Sequence, residues 1–271
     1  MSNLVVLITG ASSGMGFEAA KLFAEQGHKV YAGARRVEKM ADLQPLGIVP
    51  VGMDVTRPED NEAAVQQIID AEGRIDVLIN NAGFAVYGPV EDIPIDDARY
   101  QFEVNLFGLA DLTQQVLPHM RAQKSGRIIN ISSMGGRIFT PLGAWYHATK
   151  HALEGWSDCL RLELAPFGIQ VSVIQPGGVK TEFAAVTGKS FGKLSETSAY
   201  NAQIGALRKM MQGFEQNPQG TEPRVLAQVF LKAATDPKPR RRYVKGFAAK
   251  PMLFIRKWFG DGVFEWTLRR A

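Results

Sequence analysis

The chain holds one cysteine, Cys159, among 271 residues, which excludes an internal disulfide. Cys159 falls in a helical pattern among apolar neighbours and is expected in the core rather than as a nucleophile. Long apolar runs are missing too. The opening stretch, MSNLVVLITGASSG, has no basic flank, and its apolar run Leu4–Ile8 stops at Thr9-Gly10. That is too short for a secretion signal or a membrane span, so a cytoplasmic location is expected. Histidine is scarce, with four in all. His147 and His151 stand four apart on a helical pattern, but no third ligand lies nearby, and no metal site is expected. No repeat period or low-complexity linker divides the chain.

Charge of one sign is also nearly balanced, with 31 Lys and Arg against 27 Asp and Glu. The small excess is local. From Lys238 onward there are ten basic and two acidic residues, so residues 1–237 carry a net −4. The body therefore lacks the broad basic face that nucleic acid requires.

What is present is an alternation. Near-continuous apolar runs at Leu4–Thr9, Lys29–Ala34, Ile48–Met53, Val77–Asn80, Gly126–Ser132 and Gln170–Gln175 read as strands. Helical patterns near 14–26, 58–72, 97–123 and 145–167 separate them. Strands apolar on both faces, spaced by helices, predict a parallel sheet covered on both sides. A further helix near 221–235 and a short strand near 241–244 complete it. The expectation is an α/β fold: a single-domain Rossmann-type doubly wound parallel sheet over residues 1–244, with 245–271 a basic, aromatic extension of that domain. Ligands in such folds sit beyond the carboxyl ends of the strands.

The segment LITGASSGMGFEAA passes from the first strand to the first helix through Gly10, Gly14 and Gly16. Glycines permit a tight turn and close backbone approach, and a helix N-terminus offers free N–H groups to a pyrophosphate. The TGxxxGxG spacing opening the first strand–helix unit predicts a dinucleotide. At the tip of the second strand, YAGARRVEK supplies Arg35 and Arg36 and no carboxylate. A guanidinium suits a ribose 2′-phosphate, which an acid would repel, so NADP(H) is expected in preference to NAD(H), with Arg35 the stronger contact. Ser12 or Ser13 could add a hydroxyl. Asp54, after the third strand, either accepts from the adenine amino group or is a plain turn carboxylate.

In AWYHATKHALEGW, Tyr146 and Lys150 stand at i and i+4 on one helical face. A cation beside a phenol lowers the phenol's pKa and makes a usable acid/base. Further pieces lie at the carboxyl ends of strands: NNAG (Asn80–Gly83), Ser133 in SSMGG, and PGGVKT (Pro176–Thr181). Together with Asn105 in FEVNLFG, this ordered set resembles the classical branch of the short-chain dehydrogenase/reductase family. The resemblance runs from Leu4 to about Val244. GFAVYGPVED, LPHMRAQKSGRIINISS and LRLELAPFGIQVSVIQPG are similar to the subgroup of 17β-hydroxysteroid and retinol dehydrogenases.

The resemblance implies an NADP(H)-dependent oxidoreductase interconverting a carbonyl and an alcohol, with hydride exchanged at nicotinamide C4 and no metal. It implies that Tyr146 exchanges the proton and Ser133 hydrogen-bonds the substrate oxygen. Lys150 would tune Tyr146 and hold the nicotinamide ribose, and Asn105 would support Lys150 through a water and a backbone kink. Cofactor contacts implied are Gly10, Ser12, Ser13, Gly14, Met15, Gly16, Arg35, Arg36, Asp54, Val55, Asn81, Ala82, Gly83, Tyr146, Lys150, Pro176, Gly177, Val179 and Thr181. A homodimer or homotetramer through the helices at 97–123 and 145–167 is implied as well. A nucleotide-sensing protein on the same fold is the competing expectation, with no chemical need for the tuned phenol.

The expected pocket lies among Phe84–Tyr87, Met134–Thr140, Trp145 and the segment after Pro176, where Phe183 and Phe191 punctuate a lid-like loop. Phe84, Tyr87, Met134, Ile138 and Phe139 suggest an apolar small-molecule substrate. Arg137 could greet a substrate carboxylate or phosphate, or be plain surface. His147 replaces a small residue common after the family's tyrosine, with an effect on packing or on a subunit contact. The tail KPMLFIRKWFGDGVFEWTLRRA either packs on the pocket or a neighbouring subunit, or lies on a membrane as the one possible membrane contact. Gly260 and Gly262 are expected to break any long helix there.

Overall fold

Strand β1 (Val5–Thr9) is buried at every position, because helices cover both of its faces. Its side chains alternate: Val6 and Ile8 enter one core, Val5 and Leu7 the other. The computed structural model describes residues 3–181, 198–215 and 220–270. The remaining strands are β2 (Lys29–Ala34), β3 (Val49–Gly52), β4 (Val77–Asn80), β5 (Gly126–Ile131), β6 (Ile169–Pro176) and β7 (Arg242–Lys245). They pair in parallel, in the order β3-β2-β1-β4-β5-β6-β7. Ile8 is in register with Ala32 on one side and Ile79 on the other. The order reverses direction between β1 and β4, where doubly wound sheets open a crevice.

On one face lie α1 (Gly14–Glu25), a 3-10 segment (Val37–Leu46) and α7 (Pro223–Thr235), enclosing Phe23, Met40, Leu43 and Phe230. On the other lie α2 (Pro58–Glu72), α4 (Gly108–Gln123) and α5 (Ala144–Leu164), enclosing Ile68, Val116, Met120 and Leu160. Phe230 is fully buried, so truncating it to alanine would cost about 3–5 kcal/mol. The sequence marks the ends of α2 plainly. Pro58 opens it, Glu59 and Asp60 meet the positive end of its dipole, and Gly73 at φ 70° closes it.

The helix expected at 97–123 is divided. Helix α3 (Ile95–Phe102) and α4 are joined through a π-turn over Glu103–Phe107, which inserts an extra residue per turn. Further elements escaped the apolar-run reading, among them the 3-10 segment, α6 (Asn201–Glu215) and α8 (Ala249–Arg270). The expected break in the tail occurs at Gly260 (φ 72°, ψ −173°), while Gly262 stays helical. The inner side of α8 packs: Phe264 is buried, edge-on to Phe139 at 5.4 Å, and Arg256 sits 5.4 Å over the same ring. Among the described residues, no helix is long and apolar enough to cross a membrane.

Cys159 is exposed, contrary to expectation. The buried stripe of α5 runs through Tyr146, Lys150, Leu153, Ser157, Leu160 and Leu164. Cys159 precedes Leu160 and points about 100° away from it, whatever its apolar neighbours.

Candidate active site

The glycine loop is held at the crevice by the end of β4. Asn81 Nδ2 donates to Thr9 O (2.9 Å) and Gly10 O (3.2 Å), while the N–H groups of Asn81 and Ala82 both donate to Thr9 Oγ1 at 3.0 Å. Gly10 has φ 66°, and a Cβ there would stand 2.8 Å from Ala82 Cα. Asn81 and Ala82 thus shape the cradle. Gly14 (φ 58°), where a Cβ would stand 3.1 Å from Thr181 Cγ2, lines with Thr181, Ser13, Phe17 and Lys180 an open recess of about 380 Å³. This recess lies at the N-terminus of α1, where backbone N–H groups suit a phosphate. Met15 packs partly against the first core and Val55 is buried in the second, leaving chiefly their backbones for a ligand. Pro176 ends β6, Gly177 N–H donates to Lys245 O at 2.9 Å, and Val179 packs on the first core.

At the tip of β2, Arg36 Nη2 donates to Ser12 Oγ at 3.2 Å, and Arg35 Nη1 donates to Tyr100 Oη at 3.0 Å. Arg35 also stands 3.8 Å from Asp54, whose Oδ1 accepts from Thr56 N–H and Oγ1–H at 3.0 and 2.9 Å. Asp54 Oδ1 thus supports the turn after β3. The Arg36 guanidinium thus borders the glycine loop, while that of Arg35 turns to Tyr100 and Asp54.

Ser133, Tyr146, Lys150 and Asn105 converge. Ser133 takes extended backbone after β5 and caps the 3-10 turn Met134–Gly136, its Oγ accepting from Gly135 N–H at 3.0 Å. It hydrogen-bonds the Tyr146 hydroxyl. Lys150 is buried, and its Nζ donates to Ile131 O at 2.9 Å and lies 6.0 Å from the centroid of the Tyr146 ring. Asn105 sits in the π-turn, which supplies the expected kink. Its Nδ2 donates to Phe84 O (2.9 Å) and Thr149 Oγ1 (3.1 Å), and its Oδ1 accepts from Phe84 N–H at 3.1 Å. A Cβ on Gly83 would lie 3.1 Å from Asn105 Oδ1 and 3.7 Å from Lys150 Nζ, so Gly83 borders both groups.

The lowered phenol pKa expected from the sequence is not found. Burial pushes Tyr146 up to about 12, against the hydrogen bond from Ser133. Burial pushes Lys150 down to about 8, against the attraction of Glu154. Desolvation opposes the charged form of each group and is the largest influence on both. Tyr146 is thus a neutral phenol at physiological pH, ready to donate.

Two supporting groups carry no motif of their own. Glu154, one turn beyond Lys150, is buried and accepts from Gln175 Nε2 (2.9 Å) and Arg242 Nε (2.8 Å), with Arg137 Nε at 3.4 Å. Arg242 also reaches Asp158 at 2.6 Å. Against the upward push of burial, Arg242 and Arg161 hold Asp158 down to about 2. His147 is buried with its Nδ1 2.9 Å from Gly135 O and its Nε2 3.1 Å from Thr140 N. Since an N–H must donate and a carbonyl must accept, the ring is the Nδ1–H tautomer. It ties the Ser133 loop to α5; burial lowers its pKa and keeps it neutral. No cluster of metal-ligating groups exists among the described residues.

The pocket differs from the sequence reading. Tyr87 faces Tyr146 with ring centroids 5.6 Å apart, and with Leu142, Tyr200, Ile204 and Leu207 it forms an apolar wall to which α6 contributes. Phe84 turns to Tyr100 (5.5 Å) and the second core. Trp145 lines a recess with Ile95, Phe102 and Phe107 on another side of α5, because adjacent helical residues diverge by about 100°. Ile138 is buried, Phe139 packs on α8, and Arg137 is paired with Glu154. Phe183 and Phe191 lie outside the described residues.

A doubly wound sheet, a glycine cradle at its switch point and a Ser–Tyr–Lys cluster beside it define a dinucleotide-dependent oxidoreductase. The chain belongs to the short-chain dehydrogenase family, whose profile matches residues 4–190. It is 35% identical over 271 residues to the 3-ketodihydrosphingosine reductase of Bacteroides thetaiotaomicron, covering 99% of this chain and 98% of that protein. The crystal structure of a short-chain dehydrogenase from Streptomyces avermitilis superposes with a TM-score of 0.82 at 32% identity, covering 100% and 98% of the two chains. A 3-ketoacyl-(acyl-carrier-protein) reductase from Brucella melitensis, complexed with NADH, gives 0.77 at 25% identity, covering 91% and 98%. Proteins of this family are oxidoreductases that interconvert CH–OH and C=O on small molecules with a nicotinamide cofactor.

Proposed function

We propose that this protein is an NADP(H)-dependent carbonyl reductase acting on an apolar ketone or aldehyde. The observation that carries the reading is the buried, neutral Tyr146 hydroxyl, hydrogen-bonded to Ser133 and one turn from Lys150. The nicotinamide, when bound, supplies the hydride to the carbonyl carbon. Tyr146 gives its hydroxyl proton to the carbonyl oxygen, so that the product is an alcohol and the phenol is left as phenolate. Ser133 hydrogen-bonds the same oxygen and stabilises its developing charge. The Lys150 ammonium offsets the phenolate and holds the nicotinamide ribose, while Asn105 fixes Thr149 and the Phe84 backbone around it.

Arg35 and Arg36, with no acid at the β2 tip, favour a 2′-phosphate and hence NADP(H). The tyrosine-rich apolar wall beside Tyr146 favours an apolar substrate, and the reductive name of the Bacteroides relative fits this direction. Residues 245–271 extend the same domain, and the protein works in the cytoplasm as a homodimer or homotetramer. Exposed Phe107, Leu162 and Phe167 on the α4 and α5 side suit that assembly.

The test is NADPH and NADH oxidation against a panel of apolar ketones and aldehydes, with Tyr146→Phe beside wild type. General acid catalysis contributes about 10²–10⁴-fold, so the variant should lose that much kcat while its NADPH Kd stays within about threefold. Turnover retained by Tyr146→Phe would overturn the assignment.

A further inference from the structure

The two sides of α8 differ. Its inner side is spent on Phe264 and Ala249, both buried. On the two sides of its break at Gly260 it exposes Phe254, Trp258 and Phe259, then Val263 and Trp266, the two tryptophans at 65% and 53%. The Phe254 ring lies 6.4 Å from that of Trp258 and 6.1 Å from that of Phe259, and large apolar side chains exposed together mark a site of contact. Lys250, Lys257 and Arg270 are exposed among them, with Lys257 Nζ 5.0 Å from the Trp258 ring and the Arg270 guanidinium 4.3 Å from that of Trp266. Aromatic bodies beside basic tips suit a boundary that is apolar below and anionic above.

Charge decides between occupants. A second copy of this chain meeting the surface about a two-fold axis would set these cations against themselves. The acids of α8 that could offset them are already engaged, Asp261 with Arg256 and Glu265 with Arg269 at 3.6 Å. An anionic lipid surface has the complementary sign and accepts the aromatic rings between its headgroups. The location also matters. α8 follows the carboxyl end of β7, the ligand side of the sheet, and Phe264 packs on Phe139, six residues after Ser133.

We propose that the exposed aromatic and basic side chains of α8 dock the protein onto an anionic membrane surface and so set the mouth of the active site against the lipid. The docking itself stands apart from the reaction assigned above, and its test does not use turnover.

Full-length protein is floated with vesicles of phosphatidylcholine alone and of equal parts phosphatidylcholine and phosphatidylglycerol, at low and high salt. Expected is flotation with the mixed vesicles only, weakened by salt. Lys257→Gln with Arg270→Gln should reduce binding by about 30-fold, and Trp258→Ala with Trp266→Ala by at least about tenfold. These side chains are exposed, so the unfolding midpoints should match wild type and confirm intact folds. Absence of flotation with the mixed vesicles would overturn the proposal, as would binding unchanged in both variants. A tryptophan pair that alters the oligomeric state in sedimentation without altering flotation would assign the face to a second copy instead.

Discussion

Replacing Glu154 with glutamine removes one negative charge from a buried site while keeping its shape. In the native structure that carboxylate accepts from Arg242 and Gln175 and pairs with Arg137. Breaking a buried pair costs about 3–5 kcal/mol. Here Arg242 keeps Asp158 and Gln175 can still donate to the new amide oxygen, so the lower end, about 3 kcal/mol, is expected. For a chain of this size that lowers Tm by about 6–12 °C. A second effect separates electrostatics from packing. Lys150 titrates near 8 because burial disfavours its charge, and Glu154 opposes that fall. Without Glu154 the ammonium is lost at lower pH. Reduction leaves a phenolate beside Lys150, so kcat/KM should fall as pH rises through the lysine pKa. Wild type should bend near pH 8 and Glu154→Gln nearer neutrality, measured by NADPH oxidation across pH 6–10. A variant that loses stability but keeps the wild-type bend would refute the coupling between Glu154 and Lys150.

Two further outcomes test other parts of the site. Arg35→Ala should weaken NADPH binding by at least about tenfold with NADH little changed, since a charge-assisted hydrogen bond is worth about 1.5–3 kcal/mol. Titration of the cofactor's fluorescence reads this, and equal losses for both cofactors would remove Arg35 from the 2′-phosphate. His147→Phe should lower kcat about tenfold with the NADPH Kd unchanged, because the Ser133 loop loses the hydrogen bonds that His147 makes to Gly135 and Thr140. His147→Gln, able to reach Thr140 again, should recover part of the loss, and an unchanged kcat in the phenylalanine variant would reduce His147 to filler.

The sheet was legible because parallel strands buried on both faces leave unbroken apolar runs, as at Val5–Thr9 and Gly126–Ile131. The cradle was legible because few residues but glycine tolerate φ 66° beside Ala82. Position along the chain brought Ser133, Tyr146, Lys150 and Asn105 together, yet it said little about their surroundings. A spacing of four showed that Tyr146 and Lys150 share a face; it did not show how deeply both are buried, and burial decided the direction of each pKa. Trp145 and Cys159 were misplaced for one reason, that a neighbour in sequence on a helix points about 100° elsewhere. Glu154 was within reach of sequence reasoning, one turn past Lys150, but its partners come from β6, β7 and the Ser133 loop. Ile204 and Leu207 stand at helical spacing in the sequence, but nothing in that spacing says that their helix packs against Tyr87.

The hydrogen bonds that stitch Asn81 to Thr9 and Gly10 join two strand ends of the sheet itself, whereas the wall facing Tyr146 is made of loop residues such as Tyr87 and Leu142 with α6 behind them. The dinucleotide therefore meets a mould set by the same residues that close the fold, and a change there threatens folding as well as binding. The substrate meets a removable panel. Inherited variation can accumulate on that panel while the mould stays fixed, so one chemistry can be handed to new molecules without being rebuilt.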